Sequence, residues 1–290
     1  MTTDRKHLLQ VFLLACLMIC PLAGAFENTE VLKGVVVFDN LSSDTQEMYR
    51  SYGYKLRQNK IPSRAPHMLV YYGCSPAGLP ELAQPIMICD NPGRNLIKNY
   101  AVLIPEPSPS DQINLAQAVL PQDAHVAVIY SRHTQLQYDI LTEQKPQTLE
   151  LNGYKNHGYF KFSDHLKSII EQSDYILALP DETIFNQFTM RALILNTYRA
   201  NKPVFGPSKS FVTSGSLASL CANEYGVALS AIELANHMNT KTYKPGIYFP
   251  EHLVIQTNNF VASSFSINLP EPEILLSKVI QMRDQEAEYE

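Results

Sequence analysis

The stretch YILALPDETIFN, residues 175–186, decides the fold class of this chain. Five apolar residues, 175–179, lead into Pro180 and Asp181, and from residue 183 apolar side chains recur at helical spacing. A short apolar run followed by a helical pattern predicts a buried strand of a parallel sheet and then a helix. Asp181, at the exit of that strand, is a candidate for a catalyst, a ligand contact or a helix cap.

The same alternation of apolar runs and helical patterns extends over the rest of the chain. It predicts strands over residues 34–38, 68–72, 86–89, 100–104, 125–130, 148–151, 175–179 and 203–205, and helices over 45–59, 111–120, 163–171, 183–200 and 273–290. Such a series predicts an α/β fold with parallel sheets covered on both faces. Because the proline-rich segment 105–110 divides the series, we expect two lobes joined there. Leu275 and Val279 give the last helix an apolar face, which we expect to dock against the second lobe.

Small or polar side chains follow several of the predicted strands. In an open parallel sheet, ligands bind beyond the carboxyl ends of the strands, so two lobes whose strand ends face each other form a cleft. The candidate ligand-binding residues, with Phe185 included as an apolar surface for a ligand, are Asp39, Asn40, Cys74, Ser75, Ser131, Asp181, Thr183, Phe185 and Ser208. Each polar member, taken alone, is also a candidate helix cap.

The N-terminus has the anatomy of a secretory signal peptide. Arg5 and Lys6 precede an apolar stretch, residues 8–20, and an Ala-Gly-Ala sequence ends at Ala25. We therefore expect cleavage after Ala25 and a periplasmic protein. The alternative is a lipoprotein attached at Cys16.

Composition and motifs argue against two other classes of protein. The formal net charge of -5 and the lack of a basic patch argue against a nucleic-acid binder. The chain lacks the common hydrolase, zinc, Walker and dinucleotide motifs, and its 8 histidines are scattered, so we expect no enzyme, no metal site and no cofactor. Cys74 leaves open a hydrolase with a cysteine nucleophile. We expect Cys74 and Cys89 to be buried thiols, with a disulfide between them as the alternative.

A set of motifs in the second half of the chain resembles one known family. It includes Leu179-Pro180-Asp181 and the Pro-Val-Phe-Gly sequence at residues 203–206. The other matching positions are Phe211, Val212, Gly215, Ser216, Leu217, Ala218, Tyr225, Gly226, Asn258, Val261, Ala262, Leu269, Pro270 and Glu271. Over about residues 110–280 the chain resembles the periplasmic substrate-binding proteins of ABC transporters related to the tryptophan-binding TrpX group.

The resemblance implies the type I periplasmic binding protein fold, with two Rossmann-like lobes, a three-stranded hinge and a ligand closed between the lobes. Lobe 1 then covers residues 26–106 with a return segment at about 208–245, and lobe 2 covers residues 107–207 with a C-terminal segment at about 246–290. We expect lobe 1 to be trimmed, because the family has more sequence between its first two strands. Asp181 is implied to bind the amine of an amino acid or similar ligand. Glu182 stands where several amino-acid-binding members have Asn, so the ligand class stays open.

The functional expectation is a monomeric periplasmic protein that closes on a small molecule and delivers it to an ABC permease. The alternative is a sensory or protein-interaction module with the same fold, serving as the input to a membrane sensor.

Overall fold

The computed structural model describes residues 34–60, 62, 68–80, 84–121, 123–146, 148–156, 159–238 and 243–287. The predicted signal peptide, residues 1–25, and with it Cys16, lies outside these residues. Within the described residues the chain forms two α/β lobes, each built on a six-stranded sheet.

Lobe 1 contains a sheet of parallel strands in the order β11-β5-β4-β3-β1-β2. Its strands are β1 (Gly34–Phe38), β2 (Tyr54–Gln58), β3 (Leu69–Tyr72), β4 (Pro85–Ile88), β5 (Ala101–Leu103) and β11 (Gly246–Tyr248). Val36 packs into the core on one face of the sheet, whereas Val35 and Val37 pack into a separate cluster on the other face. This double burial explains why β1 is continuously apolar rather than alternating.

Lobe 2 contains a sheet in the order β12-β10-β9-β8-β6-β7. Its strands are β6 (Val126–Tyr130), β7 (Leu151–Lys155), β8 (Tyr175–Ala178), β9 (Val204–Gly206), β10 (Ala218–Cys221) and β12 (Val254–Thr257). All neighbouring strands are parallel except β12, which is antiparallel to β10. Leu177 packs into the core on one face, and Ile176 packs into the core on the other. The prediction of a buried parallel strand at the opening stretch is confirmed.

Helices cover the two sheets unequally. In the described part of lobe 1 they are α1 (Ser43–Ser51), α2 (Arg94–Asn99) and α8 (Glu224–His237). In the described part of lobe 2 they are α3 (Pro109–Gln117), α4 (Gln135–Gln144), α5 (Tyr159–Glu171), α6 (Gln187–Arg199), α7 (Lys209–Ser214), α9 (Asn259–Ser264) and α10 (Pro272–Ala287). Both sheets have six strands, so lobe 1 has less helical cover over the described residues rather than a smaller sheet. Leu275 and Val279 of α10 are fully buried in the core of lobe 2, which confirms the predicted docking of the last helix.

The chain crosses between the lobes three times, between β5 and α3, between β10 and α8, and between β11 and β12. Val227 and Ile232 of α8 are buried in the core of lobe 1, and β11 joins its sheet. β10 pairs with β9 and β12 and therefore belongs to lobe 2. Among the described residues, α8 (Glu224–His237) and β11 (Gly246–Tyr248) thus belong to lobe 1.

Two elements differ from the sequence prediction for identifiable reasons. The helix predicted over residues 45–59 is wrong beyond Ser51, because Gly53 adopts a positive φ of 81° and Tyr54 opens the edge strand β2. Tyr54 is buried in the core of lobe 1, and no helix continuing from α1 would place it there. The strand predicted over residues 148–151 lies further along, at β7, whose residues are partly or fully exposed and so show no apolar run.

Candidate functional site

A cavity of about 770 Å³ lies between the lobes at the hinge. Lobe 1 contributes Asp90, and the crossing segment between the lobes contributes Glu106 between two prolines. The lining residues are Asp90, Pro105, Glu106, Pro107, Pro180, Asp181, Glu182, Phe185, Pro207, Ser208, Lys209, Ser210, Phe211, Cys221, Ala222, Asn223, Val254 and Gln256. Several of them follow the carboxyl ends of β4, β5, β8 and β9, so the cavity lies where open parallel sheets bind ligands.

Asp181 lines this cavity, but its carboxylate is held by lobe 2 itself. The Oδ2 atom accepts hydrogen bonds from Ser131 Oγ at 2.5 Å and Thr134 Oγ1 at 2.9 Å. The Oδ1 atom accepts from the Thr183 backbone N–H at 3.0 Å and from Thr183 Oγ1 at 2.5 Å. A carboxylate offers about four lone-pair sites, so these four bonds fill them. Asp181 thereby ties the loop after β6 to the loop after β8.

The Asp181 carboxylate keeps its negative charge in this environment. Burial alone would raise its pKa, but the hydrogen bonds from Ser131, Thr183 and Thr134 outweigh burial and lower the pKa below the ordinary value. All of these donors are neutral groups, so the charge itself is not compensated by a cation. Asp181 therefore contributes a negative potential to the cavity even though its oxygen atoms are engaged.

Asp181 is not the cap of the helix that follows it. Asn186 caps α6, with its side chain accepting from the Phe188 and Thr189 backbone N–H groups. The Thr189 hydroxyl in turn accepts from the Asn186 backbone N–H at 3.0 Å. The helix predicted from residue 183 therefore begins at Gln187, because residues 182–185 form a turn around Asp181.

Glu106 and Asp90 make the hinge side of the cavity acidic. Burial of the Glu106 carboxyl, together with the negative charge of Asp90, raises the pKa of Glu106 to about 8. With Asp181 and Glu182, four carboxyl groups line the cavity against the one ammonium group of Lys209. The cavity is negative even when Glu106 is protonated.

A second cavity of about 610 Å³ separates the lobes beside the first and has the opposite charge. The loop after β4 and the start of α2 line it from lobe 1, and the loop after β6 and the start of α4 line it from lobe 2. Its lining residues are Asn91, Pro92, Gly93, Arg94, Ile97, Arg132, His133, Gln135, Leu136 and Asp139. Two guanidinium groups thus face a single carboxylate.

The structure brings some of the sequence-predicted site residues together and leaves others apart. Asp181, Phe185 and Ser208 line the larger cavity. Ser131 and Thr183 lie behind it as hydrogen-bond partners of Asp181.

The predicted residues of lobe 1 do not line either cavity. Asp39 accepts a hydrogen bond from Asn59 Nδ2 at 2.9 Å, Asn40 is exposed, and Ser75 Oγ accepts from the Ala77 backbone N–H at 3.4 Å. Their role in ligand binding stays a prediction.

Cys74 forms a disulfide with Cys89, contrary to the expectation of separate buried thiols. The bond joins the loop after β3 to the residue after β4, and these two strands are neighbours in the sheet. Cys74 therefore has no thiol to act as a nucleophile, and the hydrolase alternative loses its catalyst. Asp90 lies close to both sulfur atoms, but disulfide sulfurs are not the thiolate ligands that metal ions prefer.

The charged residues that set the electrostatic potential of the two cavities are not among the residues predicted from the sequence. Glu106 lies between two prolines of the segment predicted to join the lobes. A charged residue in such a segment could have been predicted to face the cleft. Arg132 directly follows Ser131, a predicted ligand-binding residue, so its position was a usable signal. Arg94 follows a loop with no distinctive sequence pattern.

The described chain has two sheets of mostly parallel strands with helices on their faces. It crosses between the lobes three times and forms a cleft at the carboxyl ends of the strands. Together these features define the type I periplasmic binding protein fold. The prediction of this fold is confirmed by solved structures. An ABC domain in complex with L-Trp from Streptococcus pneumonia is similar with a TM-score of 0.52 and 14% identity, covering 84% of this chain and 97% of that chain. The ligand-free, open structure of a substrate-binding protein with adhesive properties from Clostridium difficile has a TM-score of 0.58 and 13% identity, covering 83% of this chain and 96% of that chain.

These identities show a shared fold and no more. No protein-family model matches the sequence, and no curated protein matches it. Among the described residues, no helix has both the length and the apolar character needed to cross a membrane.

Proposed function

We propose that this chain is a periplasmic solute-binding protein that closes its two lobes around a small molecule and delivers it to an ABC transporter. The observation that carries the proposal is the cleft with its two cavities, bounded by strand ends of both lobes and by the crossing segments. Closing such a cleft buries a ligand from both sides and changes the relative position of the lobes, which a permease can detect.

Asp181, Phe185 and Ser208 are the predicted residues best placed to contact the ligand, because they line the larger cavity. Ser131 and Thr183 act through Asp181 by fixing its carboxylate. The predicted residues of lobe 1 are Asp39, Asn40, Cys74 and Ser75. They follow the carboxyl ends of β1 and β3, at the same edge of the sheet as Asp90, and we propose that they approach the ligand on closure.

The alternative function is the input domain of a membrane sensor. One observation favours it: lobe 2 carries an apolar groove of about 680 Å³ between α6 and α7, beside the hinge cavity, with Leu195 and Tyr198 exposed there. Exposed apolar patches of this kind contact other proteins. Uptake of the ligand by cells that lack the protein separates the two functions, because only transport predicts that uptake is lost.

The primary test is native mass spectrometry of the protein purified gently from the periplasm, followed by thermal unfolding with a metabolite panel. We expect a co-purified small molecule and a raised melting temperature when that compound is added. Ser208→Trp fills the cavity and should abolish both effects, whereas Ser277→Trp, on the exposed surface of α10, should preserve them. A clean ligand-free mass with no thermal shift from any compound would contradict the proposal.

A further inference from the structure

The smaller inter-lobe cavity holds one arginine from each lobe. Arg94 is the first residue of α2 in lobe 1, and Arg132 follows β6 in lobe 2. Neither guanidinium group has an ion pair or a hydrogen bond to any residue that the structure describes. By contrast, Arg283 on α10 makes two hydrogen bonds to Asp111, at 2.9 and 2.7 Å.

The one carboxylate in this cavity does not neutralise the arginines. Asp139 accepts a hydrogen bond from Gln135 Nε2 at 2.8 Å, and Gln135 Oε1 accepts from Lys155 Nζ at 2.6 Å. Asp139 is thus oriented by its own helix and forms no ion pair with Arg94 or Arg132. The cavity therefore has an unsatisfied positive charge shared between two lobes.

The start of α4 adds to this positive character. Thr134 is its N-cap residue, but the Thr134 side chain makes no capping hydrogen bond to the helix. Its hydroxyl instead donates to Asp181 at 2.9 Å and accepts from the Ser131 backbone N–H at 3.1 Å. The first-turn N–H groups at Gln135 and Leu136 thus lack a side-chain cap at the edge of the cavity.

Two unpaired arginines on opposite walls of a closing cleft repel each other, because charges of the same sign approach as water leaves. An anionic group between them replaces that repulsion with two charge-assisted interactions, which guanidinium groups make well with carboxylate and phosphate. The larger cavity is acidic and disfavours an anion, so the anionic group has one favourable place in the cleft.

We propose that the ligand carries a carboxylate or phosphate group that Arg94 and Arg132 clamp from the two lobes. This inference rests on the proposed function and names the ligand class of the same cleft. Neutralising the arginines couples ligand binding to lobe closure, since each arginine belongs to a different lobe.

The test uses four probe sets: L-amino acids, their carboxamides, sugar phosphates and the parent sugars. Thermal unfolding and isothermal titration are measured for the wild type and for Arg94→Gln and Arg132→Gln. Arg199→Gln, an exposed arginine in the last turn of α6, is the matched control. We expect binding by a probe that carries the carboxylate or phosphate and not by its counterpart without that group, and at least a tenfold rise in Kd in each cleft variant but not in the control. The set that contains the binding probe distinguishes carboxylate from phosphate.

Three results would overturn the inference, and they differ in what they say about the proposed function. Carboxamides or parent sugars that bind as tightly as the acids or phosphates, or unchanged Kd in both cleft variants, refute the arginine clamp and leave the solute-binding function standing. No binding by any of the four sets, together with a ligand-free native mass, refutes both. Because neither arginine has a partner among the described residues, we expect both variants to fold with a wild-type melting temperature.

Discussion

Glu106 should make the stability of this protein depend on pH, and replacing it should remove that dependence. Its carboxyl is buried in the hinge cavity beside Asp90, which raises its pKa from 4.5 to about 8. In the unfolded chain the group loses its proton near its ordinary pKa. Between these two pKa values the unfolded chain can release the proton, whereas the folded protein keeps it. The free energy of unfolding therefore falls as the pH rises from about 4.5 to about 8.

The size of the effect follows from the two pKa values. At about 1.4 kcal/mol per pH unit, a rise in pKa from 4.5 to about 8 corresponds to about 5 kcal/mol. This is an upper limit, because separation of the lobes can hydrate the ionised carboxylate. We therefore expect a loss of roughly 2 to 5 kcal/mol across this pH range.

The assay is urea denaturation of the wild type and Glu106→Gln between about pH 5 and pH 8.5. The two proteins should have similar stability at the acid end, because glutamine resembles a protonated glutamate. At the alkaline end the variant should be more stable by at least about 2 kcal/mol. Glu182→Gln, which changes an exposed acid of the same cavity, is the control and should follow the wild type. Parallel curves for the wild type and Glu106→Gln over the whole pH range would show that Glu106 does not cause the pH dependence.

Three further predictions concern what holds the fold together. Arg283→Ala leaves the Asp111 carboxylate, whose side chain is only 4% exposed, without its partner and should lower the free energy of unfolding by about 3–5 kcal/mol. Adding Asp111→Leu should recover most of that loss, and a single-variant loss below about 1 kcal/mol would contradict the prediction. Replacing Cys74 and Cys89 by serine opens a loop with a sequence separation of 15 and should cost about 3 kcal/mol in calorimetry, the same as reduction of the wild type. Asp181→Ala removes the acceptor of four hydrogen bonds and should cost about 3 kcal/mol in urea denaturation. Because the pKa of Asp181 is lowered, its contribution to the free energy of unfolding should be lost only as the pH falls below about 3.8. Unchanged stability of Asp181→Ala would disprove this role.

The parts of the fold that could be predicted from the sequence are those buried on both faces. In β1 and β8, the residues on either side of Val36 and Leu177 are buried as well. Burial of successive residues produces the continuous apolar runs from which the two strands are predicted. The edge strands β2 and β7 are partly exposed and lack such runs, so neither was placed correctly. Their positions depend on pairing with β1 and β6, which the local sequence does not encode.

The sequence predicted where the cleft lies, but not the hydrogen bonds and charged groups that line it. The rule that ligands bind beyond strand ends placed Asp181 correctly at the cleft. The groups that occupy its carboxylate come mainly from a loop about 50 residues earlier, and Ser131 is one of them. In the same way, Arg94 and Arg132 come from different lobes and meet at one cavity only because the chain folds into two facing sheets. Contacts of this kind are set by tertiary structure, and no spacing rule along the chain reveals them.

The most direct test of the central claim is a crystal structure of the protein with its co-purified compound. We expect the compound to lie between the lobes, in contact with residues of both and enclosed near Glu106 and Ser208. A compound bound away from both inter-lobe cavities, for example against the exposed Leu195 and Tyr198 of the groove between α6 and α7, would contradict the claim. So would a complex in which only one lobe touches the ligand.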